Sequence, residues 1–401
     1  MSKEMTPVRM GVLGLGRAFT LMVPTLSGDR RIQLVAGFDP NAAVTSTFAR
    51  EFGGVAHVSA ESLCADPNVE WIYIATPHQL HEEHVSLAAK HGKHVLVEKP
   101  MALSLAECSR MQLACKQAGT HLIVGHSHSF NAPVLHARRL IESGRYGRIC
   151  MVHAMNFTDF LYRPRRPEEL DTSQGGGVVF SQAAHQIDIV RMLGGGDVAS
   201  VYARTGRWDQ NRPTEGAYSA ILNFESGAFA SVTYNGYGYY DTDAQMGWIG
   251  EMGKPKAPNT HQMTRQRLRL VLDEAAEATQ KARRNFGGND YVPDTGTRPS
   301  AFQHFGPVIA SCERADLRLT PSGVEVHDID GVRLDAIKVP SVPRSEVVDE
   351  LWSVARYGAP PMHSAFWSTA TMEVCLAILE SSHTGEAIIL GHQDSAPVIR
   401  P

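Results

Sequence analysis

The chain has 401 residues, of which 43% are hydrophobic and 20% are charged, and its formal net charge at pH 7 is −4. Such a length favours two domains with a sizeable core, and the small negative charge gives no general attraction for nucleic acid or an anionic membrane. There is no apolar run of about eighteen residues and no signal-peptide core. The six cysteines are scattered without a C-x-x-C pair, which favours reduced thiols over disulfides or a zinc site. We therefore expect a cytoplasmic globular protein without a bound metal.

The first predicted strand, Val8–Leu13, leads directly into a glycine turn. Gly14 and Gly16 are the first two glycines of a G-x-G-x-x-G fingerprint, which allows a pyrophosphate to approach the backbone closely. The helix that follows would direct its N-terminal N–H groups at that anion. Phe19 replaces the third glycine, so this motif is weak by itself.

The second predicted strand, Ile32–Phe38, ends at Asp39, 23 residues after Gly16. An acidic side chain at this place accepts hydrogen bonds from the adenosine ribose hydroxyls and repels a 2′-phosphate. Neither Pro40 nor Asn41 supplies a compensating arginine. We therefore expect NAD rather than NADP as the cofactor; a simple turn aspartate before a proline is the alternative.

Strands and helices continue to alternate over the first 125 residues. Strands are predicted over 71–75, 94–97 and 121–125, with helices over 80–91 and 105–118, and this spacing indicates a doubly wound parallel sheet. The strand over 94–97 stops at Glu98, Lys99 and Pro100. Ligands gather outside the carboxyl ends of such strands, so Glu98 and Lys99 are candidates for chemistry; an ion pair that caps the strand is the alternative. The polar cluster over 81–84 lacks the H-E-x-x-H pattern of a metal site.

The second half of the chain shows a different order of predicted elements. After a helix over 133–143, strands are predicted at 149–157, 198–204, 218–224 and 228–234 with few intervening helices. This order favours an open, mainly antiparallel sheet, which subunit association would cover in a homodimer or homotetramer. We expect a dinucleotide-binding domain over 1–128 and a substrate and oligomerisation domain over 129–401, with closing helices within 345–382 as candidates to pack back on the first domain. The segment 254–300 has a basic helical piece over 265–284 and no assigned role.

A second polar group lies between two strands of the second domain. A glycine-rich start at residues 175–177 leads into an apolar pattern that predicts a helix with His185 and Asp188 on one face. Asp188 could orient the imidazole, and an oriented histidine is a candidate general base. A buried structural histidine is the alternative.

In this order, four motifs resemble those of the Gfo/Idh/MocA oxidoreductases. They are Gly14-Leu15-Gly16-Arg17, the stretch 75–81 (ATPHQLH), Glu98-Lys99-Pro100, and Gly176-Gly177 followed by His185-Gln186-Ile187-Asp188. The resemblance implies a Rossmann domain, a C-terminal α/β domain with an open antiparallel sheet, and catalysis by Lys99 and His185. At the cofactor it implies Gly14, Gly16, Arg17, Ala18, Phe19, Asp39, Thr76, Pro77, His78, His81, Glu98, Lys99 and Pro100.

The chain departs from this family where substrate would be held. The family commonly has aspartate four residues before the histidine, and Ser181 stands there; residues 126–130 (HSHSF) replace its usual basic pair. The stretches 125–130 and 156–167 resemble more narrowly the phthalate 4,5-cis-dihydrodiol dehydrogenases of the family. This resemblance implies that substrate is bound by His126, His128, Arg163, Arg165, Ser181 and His185.

The sequence thus predicts an NAD-dependent dehydrogenase that takes a hydride from a secondary alcohol in an interdomain cleft. The expected reaction converts 4,5-dihydro-4,5-dihydroxyphthalate into 4,5-dihydroxyphthalate. Within the same family, a sugar or inositol dehydrogenase and an aldose–aldose oxidoreductase are alternatives. A cofactor-sensing regulator is the alternative from another class, although a sensor has no need of both Lys99 and His185.

Overall fold

The computed structural model describes residues 6–293 and 299–396, which form two compact units. The first unit extends to His126 and takes in segments that begin at Thr279 and at Pro340. The expected division at 128/129 assigned both later segments to the second domain, with closing helices within 345–382 as candidates to pack back on the first, and it stays a prediction. Both segments contact the first unit, for example through the hydrogen bonds from Thr25 Oγ1 to the Pro343 carbonyl and from the Phe286 N–H to Thr20 Oγ1, each 2.7 Å long. The second unit consists of Ser127–Ala278, Pro299–Val339 and the chain from Thr369.

The first unit contains a parallel sheet, which confirms the predicted Rossmann architecture. Its strand order is β3-β2-β1-β4-β5-β6, and every pairing within it is parallel. The strands are β1 (Val8–Leu13), β2 (Ile32–Phe38), β3 (Val55–Ala56), β4 (Trp71–Ile74), β5 (His94–Val97) and β6 (Leu122–Val124). The helices that follow them are α1 (Arg17–Gly28), α2 (Ala42–Phe52), α3 (Ala60–Cys64), α4 (His81–Lys90) and α5 (Leu105–Ala118).

Local signals in the sequence fix the ends of helix α5, and with them the loop that carries Lys99. Ser104 Oγ accepts a hydrogen bond from the Glu107 N–H, and the Glu107 carboxylate accepts one from the Ser104 N–H. This capping box satisfies N–H groups that have no partner within the helix. The helix ends at Gly119, which has a φ of 66°. The loop after β5 therefore runs between a buried strand and a firmly capped helix.

The second unit contains a mixed, mostly antiparallel sheet, as predicted. Its order is β14-β13-β12-β11-β7-β10-β9-β8-β15, and the pairing of β7 with β10 is parallel. The strands are β7 (Ile149–Phe157), β8 (Val198–Gly206), β9 (Ala217–Phe224), β10 (Phe229–Asn235), β11 (Val308–Cys312), β12 (Ala315–Thr320), β13 (Gly323–Asp328), β14 (Gly331–Ala336) and β15 (Ile388–Ile389). Strands β11–β14 were not predicted.

The remaining helices are α6 (Ala132–Glu142), α7 (Ala184–Gly194), α8 (Thr260–Leu268), α9 (Glu274–Ala282), α10 (Ser345–Tyr357) and α11 (Ala365–Thr384). The basic helical piece expected over 265–284 is in fact two helices, because the chain turns between α8 and α9. None of the helices in the described ranges is long and apolar enough to cross a membrane.

Strand β9 shows the alternation expected for a sheet with one buried face. Tyr218, Ala220, Leu222 and Phe224 are buried, whereas the residues between them are exposed. The exposed positions include Ile221, and Tyr202 and Phe229 are exposed on the neighbouring strands. Association of subunits through this sheet stays a prediction.

Candidate functional site

The glycine turn after β1 has the geometry that a dinucleotide needs. Gly14 has a φ of +87°, and a Cβ there would lie 2.8 Å from backbone atoms of Ala75 and Thr76. Gly16 is the N-cap of α1 and provides no side-chain cap; a Cβ on it would meet nothing within 4 Å. Gly14 is thus required by the fold, whereas Gly16 leaves the N–H groups of Arg17 and Ala18, which begin α1, accessible to an anion.

Asp39 fixes this turn to the end of β2. Its Oδ2 accepts a hydrogen bond from the Leu15 N–H at 2.9 Å, and its Oδ1 accepts one from the Asn41 N–H at 2.9 Å. A carboxylate at this position, beside a glycine turn at a helix N-terminus, is the arrangement that holds the ribose and pyrophosphate of NAD. The residues present therefore fit this cofactor.

The Phe19 side chain belongs to the core of the first unit, and the role of this residue at the cofactor stays a prediction. The ring is fully buried, and its centroid lies 5.2 Å from that of Phe286, 6.0 Å from Phe48 and 6.2 Å from Phe52. Where the fingerprint has a third glycine for close helix packing, this chain packs α1 through an aromatic cluster.

His81 lies between two loops of the first unit, and its predicted contact with the cofactor stays a prediction. Its buried ring lies with Nε2 3.1 Å from the Thr76 carbonyl and Nδ1 3.0 Å from the Pro100 carbonyl. Burial lowers the pKa of His81 to about 4, although the carbonyl oxygens act in the opposite direction. The ring thus lies between the loop after β4 and the loop after β5, and in its neutral form it donates to one of the two carbonyls. Pro77 and His78, between Thr76 and His81, are only partly buried at the start of a 3₁₀ turn.

The loop after β5 carries Glu98, Lys99 and Pro100, and the Lys99–Pro100 peptide bond is cis. Glu98 is buried and accepts a hydrogen bond from the Tyr73 hydroxyl at 2.5 Å. Burial raises its pKa above the ordinary value, while hydrogen bonds from Tyr73 and the His126 N–H and the charges of Lys99 and Arg344 act against this shift. Glu98 is thereby a buried support for this loop, and the partly exposed Lys99 is the residue of the pair that is accessible.

In the second unit, His185 lies at the start of α7, directly after a π-helical turn over Val179–Ala183. Such turns are frequent at functional sites. The His185 ring packs against His128, with 4.9 Å between centroids, and against Phe305 at 5.1 Å; His128 and Phe305 are 5.3 Å apart. We call the rings of His128, His185 and Phe305 together the histidine cluster. The partly buried Ser181 belongs to the same π-helical turn.

Asp188 connects α7 to the turn that carries His128. Its carboxylate accepts hydrogen bonds from the Ser129 hydroxyl and, at 3.0 Å, from Thr371 Oγ1. These contacts hold the turn over His128–Phe130 next to helix α7. The proposed orientation of His185 by Asp188 stays a prediction. His126 falls in the first unit, where its N–H supports Glu98, and His128 falls in the second.

The arginines of the 163–166 stretch have different environments. Arg163 Nε donates to Asp159 Oδ1 at 2.8 Å, and 40% of the side chain is exposed. Arg165 is buried, and its Nε and Nη2 both donate to the Phe160 carbonyl, at 3.1 and 2.7 Å. Its guanidinium also lies 3.6 Å above the Phe160 ring. Two of its donors therefore hold the local backbone, and the binding of substrate by Arg165 stays a prediction.

Sequence reasoning did not single out Glu251 or Phe305, both of which belong to this region. Glu251 Oε1 lies 3.5 Å from His128 Nε2, and its Oε2 lies 4.0 Å from Arg163 Nη1. Both residues lie in irregular segments, so periodicity could not single them out. A carboxylate in a glycine-rich loop, Gly250-Glu251-Met252-Gly253, was the available signal.

A glycine turn with an acidic ribose site, a lysine at a strand end and a histidine cluster in a second unit define an NAD-dependent oxidoreductase. Residues 8–126 match the model of the oxidoreductase family with an NAD-binding Rossmann fold, and residues 134–254 match the GFO/IDH/MocA C-terminal domain. The chain belongs to the Gfo/Idh/MocA family, and it is a dehydrogenase whose cofactor is NAD.

Two full-length relatives and one more distant one illustrate the likeness. The chain is 45% identical to the 1-carboxy-3-chloro-3,4-dihydroxycyclohexa-1,5-diene dehydrogenase of Comamonas testosteroni over 97% of its length and 98% of that protein. A crystal structure from Bordetella bronchiseptica RB50 superposes with a TM-score of 0.89 at 41% identity, covering 96% of this chain and 100% of that one. The myo-inositol 2-dehydrogenase of Thermotoga maritima is 27% identical over 64% of this chain and 77% of its own length.

Proposed function

We propose that this dehydrogenase oxidises the cis-dihydrodiol of a benzene carboxylate to the corresponding catechol. The observation that carries the proposal is Arg163, a partly exposed guanidinium whose orientation is fixed by Asp159 in the unit that holds the histidine cluster. The full-length likeness to a dehydrogenase of a carboxylated dihydroxycyclohexadiene supports it. The substrate predicted from the sequence, 4,5-dihydro-4,5-dihydroxyphthalate, is one member of this class.

The chemistry separates into a hydride and a proton. NAD, when bound, accepts the hydride from the carbinol carbon. The hydroxyl proton must pass to the protein, and Lys99 and His185 are the proposed acceptors. The hydroxyketone first formed loses a ring proton as it tautomerises to a catechol, and the gain of aromaticity makes the reaction effectively one-way.

Arg163 is suited to the carboxylate of such a substrate. A guanidinium presents N–H donors in a planar fork that matches a carboxylate. Because Nε already donates to Asp159, the fork is oriented before a ligand arrives. Because Arg165 donates to the Phe160 carbonyl, Arg163 is the one of these two arginines that we assign to the substrate. This difference favours a monocarboxylated dihydrodiol as a second candidate beside the phthalate compound.

The test is a substrate panel followed by one substitution. NADH formation is measured with the phthalate dihydrodiol, a monocarboxylated dihydrodiol, benzene cis-dihydrodiol and myo-inositol. We expect the carboxylated diols to have the highest kcat/KM. Arg163→Ala should raise KM for them about 10- to 100-fold, the value of one charge-assisted hydrogen bond, and change KM for the neutral diol much less.

Arg166→Ala is the matched control, because Arg166 lies in the same stretch with the same 40% exposure and pairs with Glu168. It should leave all four substrates nearly unchanged. Arg163→Lys keeps the charge without the fork and should fall between wild type and Arg163→Ala. Preference for myo-inositol, or an equal loss on charged and neutral diols in Arg163→Ala, would overturn the proposal.

A further inference from the structure

Glu251 lies in a loop whose backbone is held firmly in the second unit. The loop is closed by a bridge between Ile249 and Pro255. The Glu251 carbonyl accepts a hydrogen bond from the His304 N–H at 3.2 Å, and His304 Nε2 donates to the Ile249 carbonyl at 2.8 Å. The next residue, Phe305, is the apolar member of the histidine cluster. One short segment, residues 304–305, therefore positions both the loop of Glu251 and the two histidines.

The carboxylate of Glu251 differs from the other acidic groups around it. Asp159 is 2.8 Å from Arg163, and Asp241 and Asp243 are 2.7 and 2.6 Å from Lys256. These aspartates are almost fully buried and form close ion pairs, which is the pattern of structural groups. Glu251 is 30% exposed, and its contacts with His128 and Arg163, at 3.5 and 4.0 Å, are longer than a well-formed hydrogen bond.

An acceptor with this environment is suited to a hydroxyl donor. An ionised carboxylate can only accept hydrogen bonds. Burial raises the pKa of Glu251, but the nearby His128 and the charges of Arg163 and His304 outweigh it and hold the pKa well below the usual range. Glu251 is thus ionised at neutral pH, and its two oxygens, one towards His128 and one towards Arg163, offer about four acceptor sites on a side chain that is 30% exposed.

We propose that Glu251 binds the substrate, accepting a hydrogen bond from the hydroxyl of the vicinal diol that is not oxidised. This assignment rests on the proposed function, since it requires a diol. Arg163 would hold the carboxylate of the ligand and Glu251 the neighbouring hydroxyl, so that opposite charges 4.0 Å apart recognise two different groups of one molecule. Glu251 would thereby determine specificity for diols over single alcohols, a role that its support of His128 alone would not produce.

The test compares ligands that differ in one hydroxyl. Dissociation constants are measured for 3,4-dihydroxybenzoate and 4-hydroxybenzoate on the wild-type enzyme with NADH, and turnover is measured with a carboxylated dihydrodiol. We expect the wild type to bind the dihydroxy ligand about 10- to 100-fold more tightly, as a hydrogen bond to a charged acceptor provides. Glu251→Ala should weaken the binding of the dihydroxy ligand alone, so that the two dissociation constants become nearly equal. Glu251→Gln keeps the shape and an acceptor oxygen and should retain part of the difference between the two ligands.

Glu168→Ala is the matched control, since Glu168 is 32% exposed and pairs with Arg166 at 3.1 Å. It should keep the wild-type ratio. If the wild type turns over dihydrodiols and Glu251→Ala has the same ratio of dissociation constants as the wild type, the assignment of Glu251 is overturned and the proposed function is not. A wild type that neither binds the dihydroxy ligand preferentially nor oxidises dihydrodiols overturns the proposed function and the assignment together.

Discussion

The two glycines of the turn after β1 allow stability and cofactor binding to be perturbed separately. In Gly14→Ala the new Cβ would lie 2.8 Å from backbone atoms of Ala75 and Thr76, at a φ of +87°. The positive φ costs about 1–2 kcal/mol, and the close contact adds about 1–3 kcal/mol because a backbone cannot move aside as a side chain can. A loss of about 2–5 kcal/mol lowers Tm by about 5–15 °C for a unit of this size.

Gly16→Ala is the matched change at the neighbouring glycine of the motif. Gly16 has a φ of −81°, and the added Cβ has nothing within 4 Å, so the loss of stability should stay below about 1 kcal/mol. The methyl group would, however, stand where the pyrophosphate of NAD approaches the N-terminus of α1. Loss of one charge-assisted hydrogen bond weakens NAD about 10- to 100-fold.

Thermal unfolding without cofactor and NAD titration by calorimetry measure the two effects. We expect each variant to change a different property. Gly14→Ala should unfold at a lower temperature than wild type, whereas Gly16→Ala should unfold at the wild-type temperature and bind NAD weakly. Unchanged NAD affinity in Gly16→Ala would refute the placement of the pyrophosphate at this helix, and an unchanged Tm in Gly14→Ala would refute the steric argument for Gly14.

Lys99→Met and His185→Ala should each lower kcat about 10²- to 10⁴-fold, the usual contribution of an acid–base group, with the NAD dissociation constant within a few-fold of wild type; near-normal turnover would remove that residue from the mechanism. Burial lowers the pKa of His81 to about 4, so the unfolded state binds more protons than the folded state between pH 6.5 and 4. The free energy of unfolding should therefore fall by up to about 3 kcal/mol as the pH is lowered across this range. Chemical denaturation at both pH values should show a smaller difference in His81→Asn; an equal difference would contradict this assignment.

Several elements agree with the sequence-based bounds to the residue. Strands β1, β2 and β7 and helix α5 are examples. In each, a periodic apolar pattern is bounded by a turn or capping residue, so local signals decide both ends. Strand β14 was missed for the converse reason, since its residues from Gly331 to Ala336 are mostly exposed and leave little apolar pattern to recognise.

The candidate site was predictable only where a motif belongs to a regular element. Gly14, Asp39 and Lys99 follow strands, and His185 begins a helix, so each is placed by the element beside it. Glu251 reaches His128 through a loop held by His304, and such a contact depends on tertiary structure that no local pattern encodes. Phe19, which replaces the third glycine of the fingerprint, has its side chain in the aromatic core, and its role at the cofactor stays a prediction.

The arginines of the 163–166 stretch show how partners, and not residue type, separate the group that we propose for substrate binding from a structural one. Arg165 donates from two nitrogens to one carbonyl and lies on an aromatic ring, so its charge is used to close a turn. Arg163 donates one short hydrogen bond to Asp159, and burial, which would lower the pKa of Arg163, is outweighed by Asp159 and Glu251, so the guanidinium stays charged. Asp159 in turn is a buried carboxylate that cannot move away from its partner without a large cost. A fixed, charged and partly exposed fork is pre-organised for a carboxylate, and pre-organisation lowers the entropic cost of binding.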